Sequence, residues 1–286
     1  MQTTPHVVAC MPAYRGAEFI EPVLESLAAQ TYANLSILIS VDVCSDGTLE
    51  LCEAFAERHS NVTVIRQSER RGWIDNSNAL LNAAKGDYVF FAFHDDPLAP
   101  SYVERLVRAL DANPQAVLAF SDLRSTTGEA YTYDALDGVA DRFGRAQQVL
   151  HAAGNWWVPV RGLIRARTLV AVGGLQRNWA GEFSADWPWL LRLVLAGEFV
   201  RVPEMLVSKR FHKETLSYAW RMRGWKGLAV LADCLRIIRG AGFPLRKELY
   251  LYCQLAAFRA SITSCPPALR KLRDAWVGNA VAGPIA

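Results

Sequence analysis

Short β-rich runs alternate with helical stretches through the first 120 residues, and this alternation limits the fold more than any other feature. The runs are His6–Met11, Leu35–Asp42, Asn61–Gln67, Asp87–Phe93 and Ala116–Asp122. Helical patterns fall between them. The first carries Phe19, Ile20, Val23, Leu24 and Leu27 on one face, and the others lie near Leu49–His59, Asn76–Lys85 and Ser101–Asn113. The runs are apolar on both faces, as strands are when helices cover both sides of a parallel sheet. The expected class is therefore α/β, a doubly wound, mostly parallel sheet. In such sheets ligands bind beyond the carboxyl ends of the strands. Asp42 and the His94-Asp95-Asp96 stretch both stand at such ends.

The pattern weakens from Leu123 to Gly154, a polar, turn-rich segment that reads as a mobile or substrate-facing excursion. Order returns at "NWWVPVRGLIRARTLVAVGGL". A helix is predicted from Asp186, ended by Gly197, and then two short strands, Glu198–Pro203 and Met205–His212. Beyond Tyr218 the chain reads as helical and both aromatic and basic, with Trp220, Arg221, Arg223, Trp225, Lys226, Arg236 and Arg239. Two readings of 218–260 stay open: a helical cap or dimer contact, and a segment resting on an anionic membrane surface. The expected division is residues 1–217, with halves of about 1–122 and 123–217, followed by a helical extension over 218–286.

Composition narrows the function classes. The 286-residue chain has a net charge of +3, too small to argue for nucleic acid as a partner. The N-terminus lacks a basic stretch followed by an apolar one, and no run approaches 18 apolar residues. Six cysteines show no C-x-x-C pair, which reads as buried thiols in a reducing compartment. The expected location is the cytoplasm, with peripheral contact at the inner membrane face as the further option.

The stretch "FFAFHDDPLAP" raises a chemical question. Adjacent carboxylates repel, and leaving a buried strand does not require them. One acid suffices to cap the next helix. Two acids and an imidazole suit a divalent cation, with oxygen ligands fitting Mg²⁺ or Mn²⁺ and the imidazole favouring Mn²⁺. Asp42 closes the second strand, where a carboxylate can accept hydrogen bonds from a base or sugar. Ser45 or Asp46 reads as the cap of the helix that follows. Asp186 begins its helix, so a cap role stands beside any chemical one.

Four segments in order, "MPAYRGAEFIEPVLESLAAQTYANLSILISVDVCSDGT", "NSNALLNAAKGDYVFFAFHDD", "GGL…ADWPWLLRLVLAG" and "KRFHKETLS", resemble the family 2 glycosyltransferases, inverting enzymes of the GT-A fold. The likeness runs from about Pro5 to Ser217. It implies that Pro12, Ala13 and Tyr14 contact the base or ribose of a nucleotide-sugar donor. Asp42 would read a uracil-type base, and Asn78 and His94 would lie on the donor side. Asp95 would hold a divalent metal (Mn²⁺ or Mg²⁺) with His212, and Arg210 or Lys213 would neutralise phosphate. Asp186 would be the general base. Trp156, Trp157, Trp187 and Asp96 are expected on the acceptor side, with Trp179 a further candidate for stacking on a sugar. The sequence departs from the family pattern at Val41, Phe93 and Ala185, each of which stands where an acid is usual. The implied activity is metal-dependent, inverting hexosyl transfer from a nucleoside diphosphate sugar, UDP favoured, to a hydroxyl of a glycan, a lipid-linked or a small-molecule acceptor. The alternative is an inactive glycan-binding or scaffold protein of the same fold. A nucleotidyltransferase would need a Gly-rich basic loop after the first strand, and "MPAYRGAEF" offers one glycine.

Overall fold

The computed structural model describes residues 4–151, 155–212 and 224–262. The predicted alternation is present. β1 (Val7–Ala13), α1 (Ile20–Ala28), β2 (Leu35–Val41), α2 (Thr48–Arg58), β3 (Val62–Arg66), α3 (Gly72–Ala83), β4 (Tyr88–Phe91), α4 (Tyr102–Ala112) and β5 (Ala116–Ser125) follow one another. β6 (Ala130–Tyr131), α5 (Arg142–His151), a 3-10 turn (Val158–Arg161), β7 (Leu163–Arg165) and α6 (Ala166–Val172) come next. α7 (Asp186–Ala196), β8 (Glu198–Lys209), α8 (Gly224–Gly240) and α9 (Leu245–Ile262) complete the described chain.

One mixed sheet runs β3-β2-β1-β4-β7-β5-β6, with β8 paired to β5. The β1–β2, β1–β4, β2–β3 and β5–β8 pairs are parallel, whereas β7 runs antiparallel to both its neighbours, β4 and β5. β1 and β4 are buried along nearly their whole length. α1 turns Ile20, Val23, Leu24 and Leu27 inward, the stripe its spacing predicts.

Two expectations are corrected. The segment from Leu123 onward is not simply an excursion. β5 continues to Ser125, β6 pairs back on it, and α5 buries Phe143, Ala146, Val149 and Leu150. Arg145 hid this helix from a hydropathy reading. It is buried, and its Nε donates to the Val194 carbonyl at 2.8 Å. The two strands predicted after Gly197 are one, β8. Its register against β5 steps from Ser121↔Val202 to Asp122↔Met205, so Pro203 and Glu204 bulge out of the ladder. Proline has no N–H to give a ladder, and a bulge accommodates it.

α8 and α9 share the core of the sheet domain. Val230, Leu231, Cys234, Ile238, Leu251 and Leu255 join its buried cluster. Phe258 meets Trp187 with ring centroids 5.1 Å apart, and Phe143 lies against Phe243 and Tyr250. Among the described residues no helix is long and apolar enough to cross a membrane. Lys213, Trp220, Arg221 and Arg223 lie outside the described residues.

Candidate active site

A cavity of about 840 Å³ opens beyond the carboxyl ends of β1, β2, β4 and β8, walled on its other sides by the starts of α3 and α7 and by the 3-10 turn. Pro12, Ala13, Tyr14, Asp42, His94, Asp95, Trp156, Trp157, Asp186 and His212 all line it. The chain thus brings ten of the residues singled out in the sequence to one space, with Arg210 and Trp179 not among them. Asn78, Asp96 and Trp187 stand outside it.

At the β2 end, Asp42 is almost fully buried. It accepts the backbone N–H of Arg71 at 2.8 Å and of Gly72 at 2.9 Å. These are orphan donors of the first turn of α3, where a carboxylate also meets the helix dipole favourably. Arg70 pairs with Asp42 at 2.8 Å, and its guanidinium lies 3.3 Å from the centre of the Tyr14 ring. Glu182 takes the neighbouring N–H groups of Trp73 and Ile74. α3 therefore starts at Gly72, four residues before the predicted Asn76. Asn76 lines the cavity and exchanges hydrogen bonds with Ser40. Asn78 is placed elsewhere, a correction to its expected donor contact. Both ends of its amide are spent on the backbone of Leu175, at 2.8 and 2.9 Å.

At the β4 end, the three residues His94, Asp95 and Asp96 separate. His94 meets the Pro12 carbonyl through Nδ1 at 3.2 Å and packs so closely on Gly16 that a Cβ there would overlap its ring. Asp95 faces the cavity and lies 3.1 Å from His212 Nε2 and 3.7 Å from Lys209 Nζ. Burial pushes its pKa up, but Lys209, His94, Arg161 and the His212 hydrogen bond together hold it below the usual carboxylate range. Asp96 turns away, which corrects its expected acceptor role. It is buried, paired with Arg161 at 2.7 Å and Lys209 at 3.1 Å, and accepts the Arg210 N–H at 3.0 Å. A carboxylate so enclosed must be paired and hydrogen-bonded, and these three donors satisfy it.

Asp95 and His212, the pair the resemblance implies for a divalent cation, stand 3.1 Å apart in the cavity. Among the described residues no three His, Cys, Asp or Glu groups converge. The His212 Nδ1 atom is buried without a hydrogen-bond partner, while Nε2 points at Asp95. One carboxylate and one imidazole fit an ion that takes its remaining ligands from water and phosphate oxygens, as Mg²⁺ commonly does at nucleotide sites.

At the start of α7, Asp186 occupies the first helical position and Ala185 the cap. No side-chain cap bond is made there. Burial pushes the Asp186 pKa up to about 6, against the lowering hydrogen bonds of the Trp187 N–H, its own N–H and the Ser184 hydroxyl, and the nearby Arg161 charge. Ser184 and Arg15 are the two non-glycine residues with positive φ among the described residues, both at 48°, and both line the cavity. Strained backbone of this kind concentrates at functional sites. Trp156 and Trp157 line the cavity. Trp157, Tyr131 and Phe211 form an aromatic cluster with centroid separations of 5.4 to 6.3 Å. Trp187 is corrected: it is wholly buried, and its indole donates to the Val149 carbonyl at 2.9 Å.

Sequence reasoning missed Arg70, Arg161, Glu182, Lys209 and Tyr131, all of which line the cavity. Lys209 carried a readable signal. A lysine that continues an apolar strand two residues before Phe211 is costly to bury without an acid partner.

The sequence profile described as "Glycosyl transferase family 2" matches residues 8–158. Glycosyltransferase GlyA of Streptococcus pneumoniae is 24% identical over 265 residues, covering 87% of this chain and 37% of that protein. Glycosyltransferase GlyG of the same organism is 27% identical over 128 residues, covering 45% of this chain and 40% of its own length. The chain thus spans about two fifths of these two relatives. Among solved structures, S. aureus TarS 1-349 in complex with UDP-GlcNAc superposes with a TM-score of 0.73 at 13% identity, covering 90% of this chain and 73% of that one. The mannosyltransferase PcManGT from Pyrobaculum calidifontis, in complex with GDP-Man and Mn²⁺, gives 0.60 at 20% identity over 98% of this chain and 81% of its own. These likenesses establish the GT-A fold.

Proposed function

This chain belongs to glycosyltransferase family 2, and from that premise we propose that it transfers a hexosyl group, with inversion, from a nucleoside diphosphate sugar to an acceptor hydroxyl. The observation that carries the reading is the shared cavity. Asp186, with its raised pKa, opens into the same space as Tyr14, Asp42, Asp95 and His212.

Charge and protonation support an assignment of roles within the cavity. The β1–β2–α3 side, with Tyr14, Arg70 and Asp42, suits a base and ribose. UDP is the favoured nucleotide, in keeping with TarS, which was solved with UDP-GlcNAc. Lys209 and Arg161 line the β4–β8 side, where a diphosphate needs positive charge. In the transfer, Asp186 takes the proton of the acceptor hydroxyl as its oxygen attacks the anomeric carbon. The bond from that carbon to the diphosphate oxygen breaks, the electron pair leaves with the nucleoside diphosphate, and configuration at carbon inverts. A base poised near 6 is ionised at neutral pH yet basic enough to accept a proton. Asp95 and His212 would hold the divalent metal, which when bound neutralises charge on the departing diphosphate. Trp157, Tyr131 and Phe211 offer apolar ring faces to an acceptor glycan, whether lipid-linked or free.

Phe93, with Val41 and Ala185, supports a second reading. The residue in the usual first-acid position is an aromatic ring under the Arg161 guanidinium, 4.9 Å away, and an inactive glycan-binding protein would keep such a cavity. A thermal-shift screen of nucleotide sugars, followed by transfer assays with Mn²⁺ on the wild type, Asp95→Asn and Asp186→Asn, separates the two. Transfer by the wild type that both variants lose is expected. Donor binding without transfer or hydrolysis by the wild type would establish the non-catalytic reading instead.

A further inference from the structure

We propose that the outer face of α8 and α9 docks on an anionic lipid surface. The inference goes beyond the glycosyl-transfer reading, and its test does not depend on that reading. α8 buries Val230, Leu231, Cys234 and Ile238 against the core, yet its exposed side carries apolar residues beside Arg236 and Arg239. Trp225, Leu228, Ala232 and Leu235 follow one another at spacings of three and four, one stripe on the helix, and the first, second and fourth are exposed. α9 repeats the pattern with Leu245 and Leu249, 65% and 51% exposed. The indole of Trp179, itself 66% exposed, donates to the Ala229 carbonyl at 3.2 Å. It joins the α8 face to the loop whose next residues, Glu182 to Ser184, line the active-site cavity.

Charge identifies the occupant. Residues 224–262 carry six Lys and Arg against two acids, Asp233 and Glu248, so this segment alone is +4 while the entire chain is +3. Both acids are buried, each under an exposed arginine. Lys226 and Arg246 are exposed and make no ion pair among the described residues. A face of apolar stripes flanked only by exposed cations, with a tryptophan at its edge, matches the headgroup region of an anionic bilayer. A second copy of this chain fits poorly, because a two-fold contact would oppose cation to cation. The chain's own residues 263–286 fit poorly too. They hold Arg270, Lys271 and Arg273 against Asp274, so they are also basic.

Co-flotation of the full chain with vesicles tests this, using phosphatidylcholine alone and phosphatidylcholine with about 30% phosphatidylglycerol, where each basic side chain near the surface contributes a comparable share of affinity. The wild type is expected to float with the anionic vesicles, to stay behind with the neutral ones, and to be released by 0.5 M salt. Lys226→Glu with Arg246→Glu should lower the partition coefficient on the order of tenfold or more, as should Leu228→Ser with Leu235→Ser. Nucleoside diphosphate binding should be unchanged in both double variants, which also verifies that they fold. The proposal is overturned if the wild type ignores anionic vesicles, or if the charge-reversed variant binds them as well as the wild type. It is equally overturned if light scattering shows a dimer that the leucine variant converts to monomer, since the face would then belong to a second copy.

Discussion

Asp186 stands at the meeting of stability and chemistry. Its pKa rises from an ordinary 3.8 to about 6 because the fold encloses it, so the folded chain holds a proton there more tightly than the unfolded one. The associated stabilisation is complete below pH 4 and is lost as pH climbs through 6. A difference of about 2 in pKa corresponds to at most roughly 3 kcal/mol, and less because the side chain keeps an opening to the cavity. Asp186→Asn should therefore melt a few degrees higher than the wild type at pH 7.5 and at nearly the same temperature at pH 4. It should also lose at least about 10²-fold in kcat/KM. For the wild type, kcat/KM should rise with pH and level off above about 6. Calorimetric melts at the two pH values and a pH–rate profile check all three. Lys209 calls for a different test. It is nearly inaccessible between Asp95 and Asp96, and removing one partner of a buried pair costs about 3–5 kcal/mol. Lys209→Met should fall at the lower end by urea denaturation, since Arg161 still holds Asp96. In EDTA its affinity for a nucleoside diphosphate should drop, and titration calorimetry with added Mn²⁺ should recover part of the loss.

At the scale of an element, α3 links the base side of the cavity to the loop before α7. Its first turn is clasped by Asp42 from β2 and Glu182 from that loop. Gly72 permits the clasp. Its φ is +80°, and a Cβ would come within 2.5 Å of Glu182 Oε1. Gly72→Ala should cost about 1–2 kcal/mol from the left-handed backbone alone, push Glu182 aside, and weaken donor affinity in titration. A variant as stable and as tight-binding as the wild type would show that the clasp does not hold the site. None of this was legible in the sequence, where α3 reads as starting at Asn76. Asp42, Gly72 and Glu182 lie far apart in the chain, and only the close of the sheet brings them together. What was legible is the periodic part. β1 to β5, α1 and the start of α7 follow from apolar spacing, and the strand-end acids follow from the sheet's polarity. The reading failed where a buried charge broke the apolar pattern. Arg145 inside α5 looks like a surface residue until its carbonyl partner is seen. The same limit explains Asp96. Adjacent acids at a strand end point to opposite sides of the chain, and local sequence does not say which one faces the cavity.

Over the whole molecule, the sequence suggests a sheet domain with a helical appendage, whereas the packing joins the two in one core. α9 lies on α5 and α8 on α7, the helix that begins with Asp186. Six apolar side chains of α8 and α9 are enclosed in the common core. At about 1.5–3 kcal/mol each, their burial is comparable to the 5–15 kcal/mol total stability of a typical domain. A chain ending at residue 217 would also bare the faces of Phe143 and Trp187 that Tyr250, Phe243 and Phe258 cover. It should therefore aggregate or remain partly unfolded, bind a nucleotide sugar far more weakly than the full chain, and bind a hydrophobic dye strongly. The full chain should unfold in a single calorimetric transition. If the shortened chain instead melts cooperatively near the wild-type temperature and keeps donor affinity, the two helices are dispensable to the core. Their apolar contacts with α5 and α7 would then contribute far less than their area implies.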